Sequence, residues 1–331
     1  MIEINQLNKS YGSVNVLYNF DLNIKSGSIT SIVGASGSGK TTLLRLISGL
    51  EIPNDGEIIL NGDVVNSKNK FIPPEKRDCS LVFQDYALFP NISMIENIYF
   101  GKNSLQNKKK IDELIQLTDI ESILEKFPYE CSGGEQQRVA LVRSLAINPS
   151  LIMMDEPLSN LDSNLKVNLN LMIRKLLKKY ETTAIVVTHD ITDALEISDE
   201  IAVISDGKII QKGSPDDVYN NPVSKKVAMH FGETNFIPLK MFPDSKNFLF
   251  DEKTQDYYVS LRPNQFIICD GIEIPGKKVF TGKIDSIRKI GSEQKIELEC
   301  EQYRLKISLN TNNKLSKGQT LNVISLWDYK L

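Results

Sequence analysis

The run Gly34, Ala35, Ser36, Gly37, Ser38, Gly39, Lys40, Thr41 fits the pattern G-x-x-x-x-G-K-[ST]. Its glycines let the backbone curl so that successive N–H groups face one anionic cluster, at the positive end of the helix that follows. Lys40 then offers a point charge to phosphate oxygens. Thr41, with Thr42 beside it, offers a hydroxyl suited to a hard divalent cation. Downstream, the apolar run Leu151–Met154 ends in two adjacent carboxylates, Asp155 and Glu156. Two acids at the end of a parallel strand invite separate tasks: Asp155 to hold Mg2+ through water, and Glu156 to polarise an attacking water as general base. His189 follows another apolar run and is one of 2 histidines; the other, His230, has no comparable context.

These groups need a scaffold that brings distant stretches of chain together. Residues 28–33 predict a short buried strand that runs into the Gly-rich loop, and residues 40–49 predict a helix ended by Gly49. Further apolar strands are expected at 80–83, 151–154 and 183–187, separated by helical stretches. That alternation argues for an α/β core with a mostly parallel sheet. The runs 200–205 and 208–212 flank Asp206-Gly207, a hairpin signal. Near Phe231-Gly232-Glu233 the texture changes to short β-rich runs at 257–261, 265–269, 296–300, 303–309 and 321–326. We therefore expect two domains: residues 1–232 with the phosphate chemistry, and residues 233–331 as a small all-β barrel or sandwich.

Composition removes several function classes. Net charge is −3 with 41% hydrophobic and 24% charged residues, an ordinary globular balance without the basic stripe that nucleic-acid binding requires. Cys79, Cys131, Cys269 and Cys300 are far apart in the sequence, which reads as reduced, mostly buried thiols rather than a metal or disulfide frame. No apolar run approaches the length of a membrane span and the start lacks a leader pattern, so any membrane role is borrowed from a partner.

Ser132-Gly133-Gly134-Glu135 fits a capping box that opens a helix through about Ala146. Two glycines in a first helical turn weaken it, and they make sense where a phosphate approaches the backbone closely. Taken together, the Gly-rich loop, Gln84 in Val82-Phe83-Gln84-Asp85-Tyr86, Ser132–Arg138, Leu151–Pro157 and His189 resemble the ATP-binding subunit of an ABC (ATP-binding cassette) transporter. The resemblance implies a P-loop ATPase domain with a mostly parallel sheet and a helical subdomain, with ATP and Mg2+ as ligands. It implies that Ser132, Gly133 and Gly134 cover the γ-phosphate bound to a second copy, so that two chains sandwich two ATPs. His189 would contact the γ-phosphate and orient water, and Gln84 would sense Mg2+ and that water. Ser159-Asn160-Leu161-Asp162 matches the family's D-loop, which couples the two sites. Tyr11, upstream of the loop, stands where the family's aromatic stacks on adenine. Cys131 replaces the usual Leu before the signature, a change expected to affect packing more than chemistry.

The β-rich tail extends the resemblance to bacterial solute importers with a C-terminal TOBE-type (OB-like) regulatory domain. Val259-Ser-Leu-Arg262-Pro263-Asn264-Gln265 is similar to the Arg-Pro-Glu segment of such tails, with Asn264 in place of Glu. The stretches 115–120, 127–130 and 261–266 are most similar to the ferric-iron import group, with polyamine, sugar, sulfate, molybdate and phosphonate importers as alternatives. Expected partners are a second copy, two transmembrane permease subunits meeting Tyr86–Pro90, and a solute-binding protein acting indirectly. The expected location is the cytoplasmic face of the plasma membrane. Soluble ABC ATPases that work on DNA or ribosomes tend to carry paired cassettes, coiled-coil insertions or basic arms, none of which is visible. A tail that binds a small oxyanion, a metal or a signalling protein remains compatible with transport.

Overall fold

The computed structural model describes the chain except residues 102–103, 160, 243–244, 246–247, 252, 270–277, 302, 311–313 and 327–331. Packing divides it into two compact units, Met1–Pro215 and Asp216–Leu331. No described helix is long and apolar enough to cross a membrane.

The central sheet of the first unit has six strands. In spatial order they are Lys208–Gly213, Glu200–Ser205, Ile29–Val33, Thr183–Thr188, Leu151–Asp155 and Cys79–Val82. Every pairing is parallel except the hairpin of the first two. The hairpin turns at Asp206 and Gly207, both with positive φ, as a two-residue turn of this type demands. The three central strands are buried along nearly their whole length, which explains their continuous apolar runs: helices cover both faces of a parallel sheet. One core packs Leu43, Leu44 and Ile47 of the helix Lys40–Ser48 against Ile32, Met153 and Val187. A second core joins the helices Met94–Tyr99, Lys108–Thr118, Gly133–Ala146 and Ser163–Lys179.

A second, antiparallel sheet of five strands was not anticipated. It runs Val14–Ile24, Ile2–Tyr11, Asp55–Leu60, Asp63–Ser67 and Lys70–Phe71. Its long first strands alternate buried Ile2, Ile4 and Leu7 with polar residues and carry register shifts, so they lack a clean period of two. Arg77 fastens this sheet to the helix Lys40–Ser48. It is 6% exposed, and its guanidinium donates to the carbonyls of Leu46, Ile47, Val65 and Ile72.

The second unit holds a three-stranded sheet, Asn235–Pro238, Asp256–Leu261 and Leu249–Asp251, and a five-stranded one. The latter is ordered Phe266–Ile268, Thr320–Ser325, Val279–Ile290, Glu293–Glu299 and Arg304–Asn310. Both are wholly antiparallel. Phe266, Phe280, Ile296, Leu298, Leu305 and Val323 form its core. The predicted β-runs all fall on strands, but the longest strand, Val279–Ile290, was missed. Gly282 interrupts it for a steric reason: a Cβ there would lie 2.8 Å from Cys300 Sγ and 3.0 Å from the Glu299 carbonyl oxygen. All four cysteines are free, and burial pushes the Cys79 thiol up to about 11.

Candidate active site

Parallel pairing sets the carboxyl ends of the central strands side by side. Val33 pairs with Thr188 and Val187 with Asp155, while Val82 lies next to Met154. The Gly-rich loop, His189, Glu156 and Gln84 all follow these ends, where open α/β sheets bind ligands.

The loop that follows Val33 is shaped by its glycines. Gly37 and Gly39 have φ of 77° and 99°, conformations that favour glycine. Gly34 has no room for a side chain, since a Cβ would stand 2.5 Å from the Ile204 carbonyl oxygen. Gly39 caps the helix Lys40–Ser48 without any side-chain cap, and no acid occupies its first turn, so that end keeps its affinity for anions. Lys40 is 6% exposed. Its Nζ donates to the carbonyls of Gly34 at 2.8 Å and Ala35 at 2.9 Å. Burial lowers its pKa, and the charges of Glu156 and Asp155 oppose that fall.

Thr41 Oγ1 donates to Asp155 Oδ1 at 3.2 Å. Burial holds Asp155 above the ordinary aspartate value; the Thr41 hydrogen bond opposes this, and the neighbouring Glu156 carboxylate adds to it. Glu156 has φ of 47°, a costly backbone for a residue with a Cβ and one that tends to mark functional sites. The strained turn is fixed by the bond from Glu156 N–H to the Val187 carbonyl, 2.8 Å. Glu156 Oε2 lies 3.0 Å from His189 Nδ1, and the imidazole is 62% exposed. Ser36, Gly37, Gly39, Lys40, Thr41, Thr42, Glu156 and His189 thus line one open cavity of about 550 Å³, with Val16 on its wall. Gln84 is not among the residues that line it; its Nε2 reaches Ser159 Oγ at 3.5 Å, and that hydroxyl donates to the Glu156 carbonyl.

Tyr11 ends the strand Ile2–Tyr11 and is 45% exposed. Its hydroxyl donates to Glu51, and Lys9 Nζ sits 4.9 Å from its ring centroid. Burial first, then the Glu51 bond, raises the Tyr11 pKa, so the phenol remains a donor. Glu51 also meets Lys9 and Arg45. Burial works against its ionisation, yet these partners outweigh it and hold its carboxyl below the ordinary range. Neither Glu51 nor its role was visible in any motif.

The signature segment lies elsewhere. Ser132 caps the helix Gly133–Ala146, and Glu135 closes the capping box. None of residues 132–138 lines the phosphate cavity. Gly133 is exposed, with no neighbour nearer than 3.6 Å to a Cβ built there. Gly134 has a packing reason of its own, since a Cβ would meet Leu165 Cδ2 at 2.7 Å. Asp162 caps the next helix by accepting from Leu165 N at 3.0 Å. Asn160 of the expected D-loop lies outside the described residues. Cys131 packs partly against the helical core.

Tyr86 is buried, whereas Phe83, Phe89 and Phe100 are exposed. The Phe89 and Phe100 ring centroids are 4.1 Å apart. Arg143 supports this surface by donating to the carbonyls of Tyr86 and Ala87, two residues with positive φ. Arg143 carries no motif, and a long-range bond to backbone leaves no sequence trace.

Comparison with known proteins identifies the family. The family described as ABC transporter matches residues 17–159. The chain is 34% identical over 320 residues to the Fe(3+) ions import ATP-binding protein FbpC of Photobacterium profundum, covering 92% of this chain and 89% of that one. It is 42% identical over 246 residues to the spermidine/putrescine import ATP-binding protein PotA of Legionella pneumophila, covering 73% of this chain and 66% of that one. Among solved structures, a dimeric ATP-binding cassette in a post-hydrolysis state with ADP and Pi bound superposes with a TM-score of 0.56 at 31% identity, covering 65% of this chain and 99% of that one. The chain belongs to the ABC transporter family, as one of its ATP-binding, ATP-hydrolysing subunits.

Proposed function

We propose that two copies of this chain power import of ferric iron through a pair of transmembrane permease subunits. Support for the solute comes from the FbpC relative, whose likeness continues through the second unit to 92% of the chain. Polyamine and sulfate import are the alternatives. The first is favoured by the higher identity of the PotA relative over 73% of the chain. The second is favoured by a sulfate/thiosulfate import ATP-binding protein, CysA, that is alike at the same 34% identity over 95% of the chain. The subunit would sit on the cytoplasmic face of the membrane, with the exposed aromatics Phe83, Phe89 and Phe100 against the permease. A solute-binding protein would deliver cargo from the other side. The test is uptake of labelled ferric iron, spermidine and sulfate in source cells lacking the protein, restored with wild type or with Glu156→Gln. Iron uptake rescued by wild type alone is expected; rescue of spermidine or sulfate uptake instead refutes the iron assignment.

In the mechanism, the β- and γ-phosphates enter the loop 34–42 and take over the Lys40 ammonium from the Gly34 and Ala35 carbonyls. Thr41 and Asp155 present hard oxygens 3.2 Å apart, a pair that fits Mg2+. Among the described residues no group of three or more acids, His or Cys could hold a metal, so phosphates and water would complete its shell, as Mg2+ prefers. When bound, the ion would neutralise phosphate charge. Glu156 then takes the proton of a water that His189 and Gln84 orient toward the γ-phosphorus. Ser132, Gly133 and Gly134 stand apart from the cavity of their own chain, and the proposal is that they close over the γ-phosphate held by the second copy, with Asp162 between the two sites. Formation of that sandwich pulls the permease outward-facing, and hydrolysis releases it.

Tyr11 stacks on the adenine in this scheme, and Glu51 is the positioning residue that orients its ring. Glu51→Ala should raise the KM for ATP about 2- to 10-fold, the worth of one hydrogen bond, and leave kcat close to wild type. An unchanged KM, or a fall confined to kcat, would remove Glu51 from this role.

A further inference from the structure

The second unit carries a pocket that the nucleotide chemistry does not use. It occupies the face of the strands Val279–Ile290, Glu293–Glu299 and Arg304–Asn310 that points away from their apolar core. Pairing arranges this face as two rows. Ser286, Glu297 and Lys306 lie opposite one another, and so do Arg288, Lys295 and Ser308. Tyr219, Phe231, Glu233 and Pro263 form the other wall of a cavity of about 210 Å³.

The second row is electrostatically costly as it stands. Arg288 and Lys295 are direct cross-strand partners, and like charges in that relation destabilise a sheet. Among the described residues neither has a carboxylate within ion-pair distance, whereas Lys306 is 3.1 Å from Glu233. The field of both cations nevertheless reaches the pocket. The carboxyl of Glu233 is held below its ordinary value, first by the Lys306 hydrogen bond, with the charges of Lys295 and Arg288 adding to it against the effect of burial. Glu233 therefore behaves as an internal anion at the edge of a cation cluster. The wall that carries it is rigid. Arg262, 2% exposed, donates to the carbonyls of Tyr219, Ala228, Gly232 and Glu233.

We propose that this pocket binds a small organic di- or tricarboxylate, with Arg288 and Lys295 as its principal cations and Tyr219, Phe231 and Pro263 against its carbon skeleton. A guanidinium matches a carboxylate with two parallel hydrogen bonds. The cavity offers more room than one tetrahedral oxyanion fills, and its aromatic wall gives such an ion nothing to hold. One carboxylate of the ligand replaces Glu233 at Lys306, and the other neutralises the Arg288–Lys295 pair. Ser286 supplies a hydroxyl donor at the end of its row, whereas the Ser308 hydroxyl donates to Glu293.

The test is calorimetric titration of the full chain with citrate, at fixed ionic strength and without divalent metal, with sulfate in a parallel arm. One citrate per chain is expected, bound at least 10-fold more tightly than sulfate. The double variant Arg288→Gln, Lys295→Gln should lose citrate at least 10-fold. Glu233→Gln leaves the cation rows intact and should bind citrate several-fold more tightly, because the internal competitor has lost its charge. The phosphate loop is another anion site, and it is told apart by its indifference to all three substitutions. The proposal is overturned if no citrate binds, if the double variant binds citrate as wild type does, if sulfate binds equally well, or if Glu233→Gln weakens binding.

Discussion

Replacement of Glu156 by Gln should abolish steady-state ATP hydrolysis while preserving ATP binding. A positioned general base contributes about 10²- to 10⁴-fold, so kcat is expected to fall by at least about 100-fold. The structure gives reasons to expect so large an effect from one atom. Glu156 is held in a strained backbone conformation, φ 47°, by a bond to the neighbouring strand, and its carboxylate faces His189 at 3.0 Å. Gln keeps the size and can still accept a hydrogen bond, but it cannot take a proton. With ATP and Mg2+ the variant should accumulate as a nucleotide-loaded dimer in size-exclusion chromatography. Turnover within a few-fold of wild type would show that the base lies elsewhere.

Lys40→Ala should act at binding rather than chemistry. A hydrogen bond to a charged group is worth about 1.5–3 kcal/mol, so ATP affinity should fall about 10- to 150-fold, as read by fluorescent-nucleotide titration. Lys40 also donates to the Gly34 and Ala35 carbonyls, and its loss leaves these loop groups to water. A thermal melt run in parallel separates loss of affinity from loss of fold. Undiminished ATP affinity in a folded Lys40→Ala chain would remove Lys40 from the phosphate site.

The pH dependence of the proposed Mg2+ site has a definite sign. Asp155 has its pKa raised by burial, so it protonates at a higher pH than an ordinary aspartate. Demand for Mg2+ should accordingly increase on acidification before ordinary aspartates begin to titrate.

Much of this site was legible because its chemistry is local in sequence. The loop 34–41 and the pair Asp155-Glu156 each follow a short apolar strand, and buried parallel strands announce themselves as unbroken apolar runs. What escaped was the set of residues that act across the fold on backbone or on other side chains. Arg77 satisfies carbonyls on two elements, Arg143 steadies the left-handed Tyr86 and Ala87, and Glu51 holds Tyr11. Each looks like a solvated charge in the sequence, since the partner is an atom rather than a residue type. The antiparallel sheet of residues 2–71 escaped for a different reason: its strands change register, and period-two patterning breaks at every shift. Val279–Ile290 was hidden by Gly282, whose small size answers to Cys300 and Glu299 rather than to a turn. The two glycines after Ser132 read as room for a phosphate, yet Gly134 is needed by Leu165 as well. A glycine reports closeness without naming what comes close.

ATP is proposed to be hydrolysed at a site that one chain begins and a second completes. The most direct test of that proposal is the specific ATPase activity of the purified chain, measured as its concentration is varied at saturating ATP and Mg2+. If Ser132 and its neighbours close over the other copy's nucleotide, activity per chain should rise with chain concentration and reach a plateau once dimers dominate. Activity per chain that stays constant down to concentrations at which the protein sediments as a monomer would contradict the account.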